Sequence, residues 1–154
     1  MRWTSPEQWH VTLAFMGDVA ETDVEAMKAA LVQAAAGVAC PPVALLGPAS
    51  VRFAPGVLGV PVTGLEGAAR AVRDALAPFS AVAPDARPFR GHLTLARARG
   101  RRSLPRGVEG APLRCHWTAR ELCLVQASLH PTGASYTTLA RATIPTTNMR
   151  SPLE

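Results

Sequence analysis

Two five-residue segments of this chain nearly repeat each other. Residues 10–14 read His10-Val11-Thr12-Leu13-Ala14 and residues 92–96 read His92-Leu93-Thr94-Leu95-Ala96, identical at four of five positions. Side chains alternate along a strand. If both segments are strands, His10 and Thr12 face one side and Val11, Leu13 and Phe15 the other, and His92 and Thr94 likewise oppose Leu93 and Leu95. Each segment then offers one imidazole and one hydroxyl on a polar face. Two such faces meeting across a groove would suit metal-free phosphodiester cleavage. A neutral imidazole takes the proton of an attacking water, and a protonated one gives a proton to the leaving oxygen. The hydroxyls hydrogen-bond the non-bridging phosphate oxygens as charge builds on them. A lone His-x-Thr is chance-level and its histidine is usually structural; two copies with matching apolar flanks are much harder to obtain by accident.

The elements that must position these residues can be read from the pattern. Trp9 to Phe15 alternates and predicts a strand. Thr22-Asp23-Val24-Glu25 fits a capping box, with Thr22 as the cap. Val24, Met27, Leu31 and Ala34/Ala35 follow at helical spacing, and Gly37 ends that helix. Short strands are expected at Val43 to Leu46, Val51 to Phe53 and Val57 to Val62, the last at an edge or strand end because it holds Pro61. A second helix runs from Leu65 to about Ala77, with Leu65, Ala69, Val72 and Leu76 as its apolar stripe. A loop with Pro84 and Pro88 leads to a strand at His92 to Ala98. Gly100 to Pro112 is a polar, basic surface loop, expected to be mobile. Glu121 to Leu129 is an apolar strand, His130 to Gly133 a turn, and Ser135 to Leu139 opens the returning strand. The order predicts an α+β fold with mostly antiparallel pairing.

Size and composition exclude other classes. The chain has 154 residues, of which 48% are hydrophobic, enough for a real core and too many for disorder. No apolar run reaches the roughly 20 residues of a membrane span, and Met1 to Pro6 has no secretory apolar region. Cys40, Cys115 and Cys123 are irregularly spaced and read as free thiols of a reducing cytoplasm. The net charge of +5 is unevenly distributed: residues 1–85 carry five basic and eight acidic side chains, and residues 86–154 eleven and three. Seven arginines (Arg87, Arg90, Arg97, Arg99, Arg101, Arg102 and Arg106) fall within twenty residues without an acid among them. Guanidinium forks suit phosphate, although an Ala-, Pro- and Gly-rich chain of this kind also uses arginine where others use lysine.

The repeated motif resembles that of the two-histidine (2H) phosphoesterase superfamily. Trp9-His10-Val11-Thr12-Leu13-Ala14-Phe15-Met16-Gly17-Asp18-Val19 is similar to the first motif of the RNA 2′,3′-cyclic phosphodiesterases, also called 2′-5′ RNA ligases. Phe89-Arg90-Gly91-His92-Leu93-Thr94-Leu95-Ala96-Arg97 resembles the second, and Leu124 to Leu129 with Gly133 and Tyr136 resembles the C-terminal pattern. The resemblance covers residues 3 to about 140. It implies a bilobal fold with pseudo-twofold symmetry, mostly antiparallel sheets, outer helices and a central cleft, here as one domain over 1–145 with a tail at 146–154. It implies hydrolysis of RNA 2′,3′-cyclic phosphate ends to 2′-phosphates without metal or cofactor, with His10 as proton donor and His92 as proton acceptor. Such proteins usually begin with a further strand and helix before the first motif. Their absence here would leave an open sheet edge and apolar surface, which a second copy could cover as a homodimer. Gly91 stands where the family often has proline, a departure expected to matter little.

Further site residues follow from both lines of reading. Thr12 and Thr94 are expected to bind phosphate. Arg90, two residues before His92, shares its face and is a substrate contact. Arg97 is favoured by the resemblance, whereas strict alternation turns it to the opposite face unless the strand bulges. Tyr136 is a base or phosphate contact, with packing as the alternative. Phe53 and Phe15 could stack on a base, although Phe15 falls on the core side. His116 and His130 lack a motif, and Cys115-His116 with Cys123 lacks a fourth zinc ligand. The same site could serve a small cyclic nucleotide or an ADP-ribose cyclic phosphate, run backwards as a 2′-5′ ligase, or survive in a non-catalytic RNA-binding module; intact His and Thr in both motifs oppose the last.

Overall fold

The computed structural model describes residues 1–79, 88–98, 103–130 and 133–146. Its strands are β1 (Arg2–Trp3), β2 (Val43–Leu46), β3 (Val51–Ala54), β4 (Val57–Thr63), β5 (His92–Arg97), β6 (Cys115–Thr118), β7 (Glu121–His130) and β8 (Gly133–Thr143), with helices α1 (Val24–Ala36) and α2 (Glu66–Leu76). Six strands form a sheet of order β1-β5-β4-β2-β6, with β3 also on β4, and β7 pairs with β8. Every described pairing is antiparallel. The architecture is α+β, as the element order predicts. No helix among the described residues is long and apolar enough to cross a membrane.

Three apolar clusters hold these elements. The largest joins α1 and α2 to the β7–β8 hairpin through Met27, Leu31, Ala34, Val72, Leu76, Leu122, Leu124 and Ile144. α1 is rich in Ala, Leu, Met, Lys and Gln, all good helix formers, and its expected stripe is the face it buries. α2 buries Ala69, Val72 and Leu76 of its expected stripe, with Leu65 buried just before it. A second cluster gathers Ala44, Val62 and Leu65 with Val11, Leu13 and Leu93, and a third holds Leu58, Ala96 and Leu104.

Several local expectations are corrected. Thr22 does not cap α1: it lies inside a 3-10 turn, Glu21–Asp23, and the helix starts at Val24 with no side-chain cap. β4 is a central strand, not an edge. Val62 donates its N–H to Gly91 on the β5 side, so by alternation the imide nitrogen of Pro61 faces the other side. There the partner changes from β3, paired through Gly59, to β2, paired from Val62. Proline is tolerated because that junction uses only the Pro61 carbonyl, which accepts from the Gly47 N–H at 2.9 Å. β6 lies in a stretch with no strand expectation, and Glu121 pairs with Arg141 across the hairpin.

The basic loop is pinned at its far end. Leu104 is buried, Arg52 pairs with Glu109 at 2.7 Å, and the Ser50 hydroxyl donates to the Val108 carbonyl while accepting from the Ala111 N–H. Arg87, Pro84, Arg99, Arg101, Arg102, the turn at 131–132 and the tail from residue 147 lie outside the described residues.

Candidate functional site

The first motif does not form the expected strand. Residues 9–20 join no ladder, yet the expected facing holds as far as Leu13. Val11 and Leu13 pack into the core while His10 and Thr12 are exposed. Alternation then breaks, because Leu13 and its neighbour Ala14 both pack inward, followed by Met16. The phase slips by one residue and turns Phe15 out, 81% exposed. The core position expected for Phe15 is therefore corrected.

The second motif lies on β5 and contains a bulge. Leu58 pairs with Ala96 and Gly59 with Thr94, so Leu95 is an extra residue on β5. Leu58, Val60 and Val62 are buried on one face of β4, and their opposite numbers across the ladders include Ala96 and Leu93. Leu93 and Ala96, three apart, thus share the core face. His92, Thr94 and Arg97 share the other. A bulge re-aims side chains in this way, and it brings Arg97 to the face of the histidine.

Both histidines are held alike. Nδ1 of His10 lies 2.7 Å from the Gln8 carbonyl oxygen, and Nδ1 of His92 lies 3.1 Å from that of Arg90. A carbonyl only accepts, so each Nδ1 donates and Nε2 is left as the exchanging nitrogen of each ring. His10 meets Tyr136 edge-on, with ring centroids 4.8 Å apart. His92 is stacked on Phe53 at 3.6 Å and 19°, and the Arg90 guanidinium carbon lies over the same Phe53 ring at 5.0 Å. Phe53 is itself the extra residue of an irregularity in β3, where Arg52 pairs with Leu58 and Ala54 with Val57. No sequence pattern announces Phe53 as a partner of His92.

Burial pushes the pKa of His92 down. The positive charges of Arg97, His10 and Arg90 add to this, and the bond to the Arg90 carbonyl only partly opposes it. The surroundings thus favour the neutral form of His92. Because His10 and Arg97 act on it electrostatically, both sit within its field. The structure thus gathers His92, Thr94, Arg90, Arg97 and Phe53 around one imidazole, and Tyr136 beside the other. His130 lies apart on the hairpin, with Nε2 3.1 Å from Ser135 Oγ. His116 lies on the β2–β6 edge, where a concavity of about 500 Å³ is lined by Leu45, Pro48, Arg114, Cys115 and His116 and by none of the motif residues.

Gly91, just before His92, is a tight position. An added Cβ would run into the Val62 carbonyl oxygen and the Phe89 ring. The expectation that this departure matters little is corrected: the backbone of β4 passes too close for any side chain.

The sequence profile of the LigT-like phosphoesterases matches residues 1–51, which include the first motif. The structure matches TT0787 of Thermus thermophilus with a TM-score of 0.78 at 25% identity, covering 95% of this chain and 83% of that one. Residues 1–51 are thus similar to the LigT-like phosphoesterases, and the chain shares the fold of TT0787. It also matches E. coli LigT complexed with 3′-AMP, with a TM-score of 0.70 at 23% identity, covering 93% of this chain and 80% of that one. The fold extends to the MHV ns2 PDE domain at a TM-score of 0.50 and 14% identity, covering 79% of this chain and 71% of that one. No curated protein matches the chain in sequence.

Proposed function

We propose that this LigT-like chain hydrolyses 2′,3′-cyclic phosphate ends of RNA to 2′-phosphate ends. The observation that carries this reading is the common bond of both motif histidines, Nδ1 to the carbonyl two residues earlier, with burial that favours the neutral form of His92 beside it. Nε2 of His92 takes the proton of a water that attacks phosphorus. The P–O3′ bond breaks, and His10, protonated on Nε2, gives its proton to the leaving O3′. The turnover leaves His92 protonated and His10 neutral, and exchange with solvent resets both. The Thr12 and Thr94 hydroxyls donate hydrogen bonds to the non-bridging oxygens, and the Arg97 guanidinium offsets their charge. Arg90 and Tyr136 flank the bound nucleotide.

RNA is favoured over smaller substrates by the excess positive charge after residue 85. A second reading, a phosphodiesterase for a small cyclic nucleotide, draws on the mononucleotide bound by the structurally similar E. coli LigT. The test measures product from an RNA oligonucleotide ending in a 2′,3′-cyclic phosphate and from a 2′,3′-cyclic mononucleotide. We expect a 2′-phosphate product and a higher kcat/KM on the oligonucleotide. Equal or higher kcat/KM on the mononucleotide favours the second reading, and binding of both without turnover overturns the catalytic one.

A further inference from the structure

Beside the bulge that carries Arg97 to the face of His92, one hydroxyl proton is shared between two backbone carbonyls. The Thr4 hydroxyl lies 2.8 Å from the Thr94 carbonyl oxygen and 2.9 Å from that of Leu95. The Thr4 N–H also donates to the Leu95 carbonyl at 2.9 Å. Thr4 follows β1, whose Arg2 and Trp3 pair with Arg97 and Ala96 of β5. On the other side of β5, Leu95 has no partner in β4. Thr4 therefore grips the bulged residue from the outer side by main chain and side chain together.

We propose that Thr4 is a positioning residue, setting the β5 bulge and through it the placement of Arg97 at the phosphate. This rests on the reading that the His92, Thr94 and Arg97 face binds phosphate. Without the hydroxyl, the Thr94 carbonyl loses its side-chain donor and β5 is free to return to regular alternation. Regular alternation would carry Arg97 to the opposite face, so the loss falls on phosphate binding, and the acid limb set by His92 moves up as it does in Arg97→Ala.

The experiment compares wild type, Thr4→Val, Thr4→Ser, Arg97→Ala and the double variant Thr4→Val/Arg97→Ala on the 2′,3′-cyclic mononucleotide, with inorganic phosphate binding measured by calorimetry. Thermal melts confirm that each variant is folded. We expect Thr4→Val to raise KM about three- to tenfold, the range of one lost hydrogen bond, with kcat within about twofold of wild type. Thr4→Ser, which keeps the hydroxyl, restores KM. The double variant is no worse than Arg97→Ala, because Thr4 acts through Arg97. Unchanged KM and phosphate affinity in Thr4→Val, or effects that multiply in the double variant, overturn the proposal. If Thr4→Val does not fold, Thr4→Ala takes its place with the same expectation. Wild type that binds phosphate but turns nothing over refutes the hydrolytic reading alone, and phosphate affinity then decides on Thr4. Wild type that does neither overturns both.

Discussion

Phe53 lies flat against His92, with ring centroids 3.6 Å apart and planes 19° from parallel. The contact covers one face of the imidazole and contributes to the burial that holds its pKa below the ordinary value of 6.5. A lowered pKa keeps the ring neutral, so the acid limb of kcat/KM lies below the usual histidine range. Phe53→Leu opens the ring to water and raises that pKa, which moves the acid limb to higher pH. Arg97→Ala removes a positive charge and moves it the same way. A pH–rate profile checks both; an acid limb that stays in place or moves down refutes this account of His92.

In the proposed reaction the two histidines divide the proton transfers between them. His10→Ala and His92→Ala should each lower kcat by about 10²–10⁴-fold, the range for loss of a general acid or base. The wild-type profile should be bell-shaped, and each variant should lose one limb. Single-turnover rates across pH decide this, and wild-type rates in either variant would end the paired mechanism.

Tyr136 touches the other imidazole edge-on at 4.8 Å. Aromatic pairs of this kind contribute about 0.5–1.5 kcal/mol, or roughly two- to tenfold in rate if the contact orients His10. Tyr136→Phe keeps the ring and should stay near wild type, whereas Tyr136→Ala should lose about that factor in kcat. A large loss in Tyr136→Phe would instead assign the hydroxyl a direct role on phosphate.

Gly91→Ala should destabilise the fold by about 1–3 kcal/mol, the usual range for overpacking. The added methyl meets the Val62 carbonyl oxygen, and that strand contact cannot give without moving β5. Urea unfolding measures the loss. A variant as stable as wild type would show that the β4–β5 contact is looser than described.

The chemistry proposed for this protein is legible in its sequence because it is local. Two copies of His-x-Thr with matching apolar flanks name the functional groups, and the spacing of Met27, Leu31, Ala34, Val72 and Leu76 names two helices and the faces they bury. Placement was less legible. A repeating period describes regular strands and cannot show where one residue is added. Leu95 on β5 and Phe53 on β3 are such additions, and they decide that Arg97 faces His92 and that an aromatic ring covers it. The break between Leu13 and Ala14 is of the same kind and turns Phe15 outward. Gly91 looked neutral because its constraint is the backbone of another strand. The sequence alone determined which groups the proposed acid–base reaction can draw on. Tertiary structure alone decided which side chains surround them, because bulges and close approaches depend on hydrogen bonds between strands far apart in the chain, such as those from Thr4 to Thr94 and Leu95.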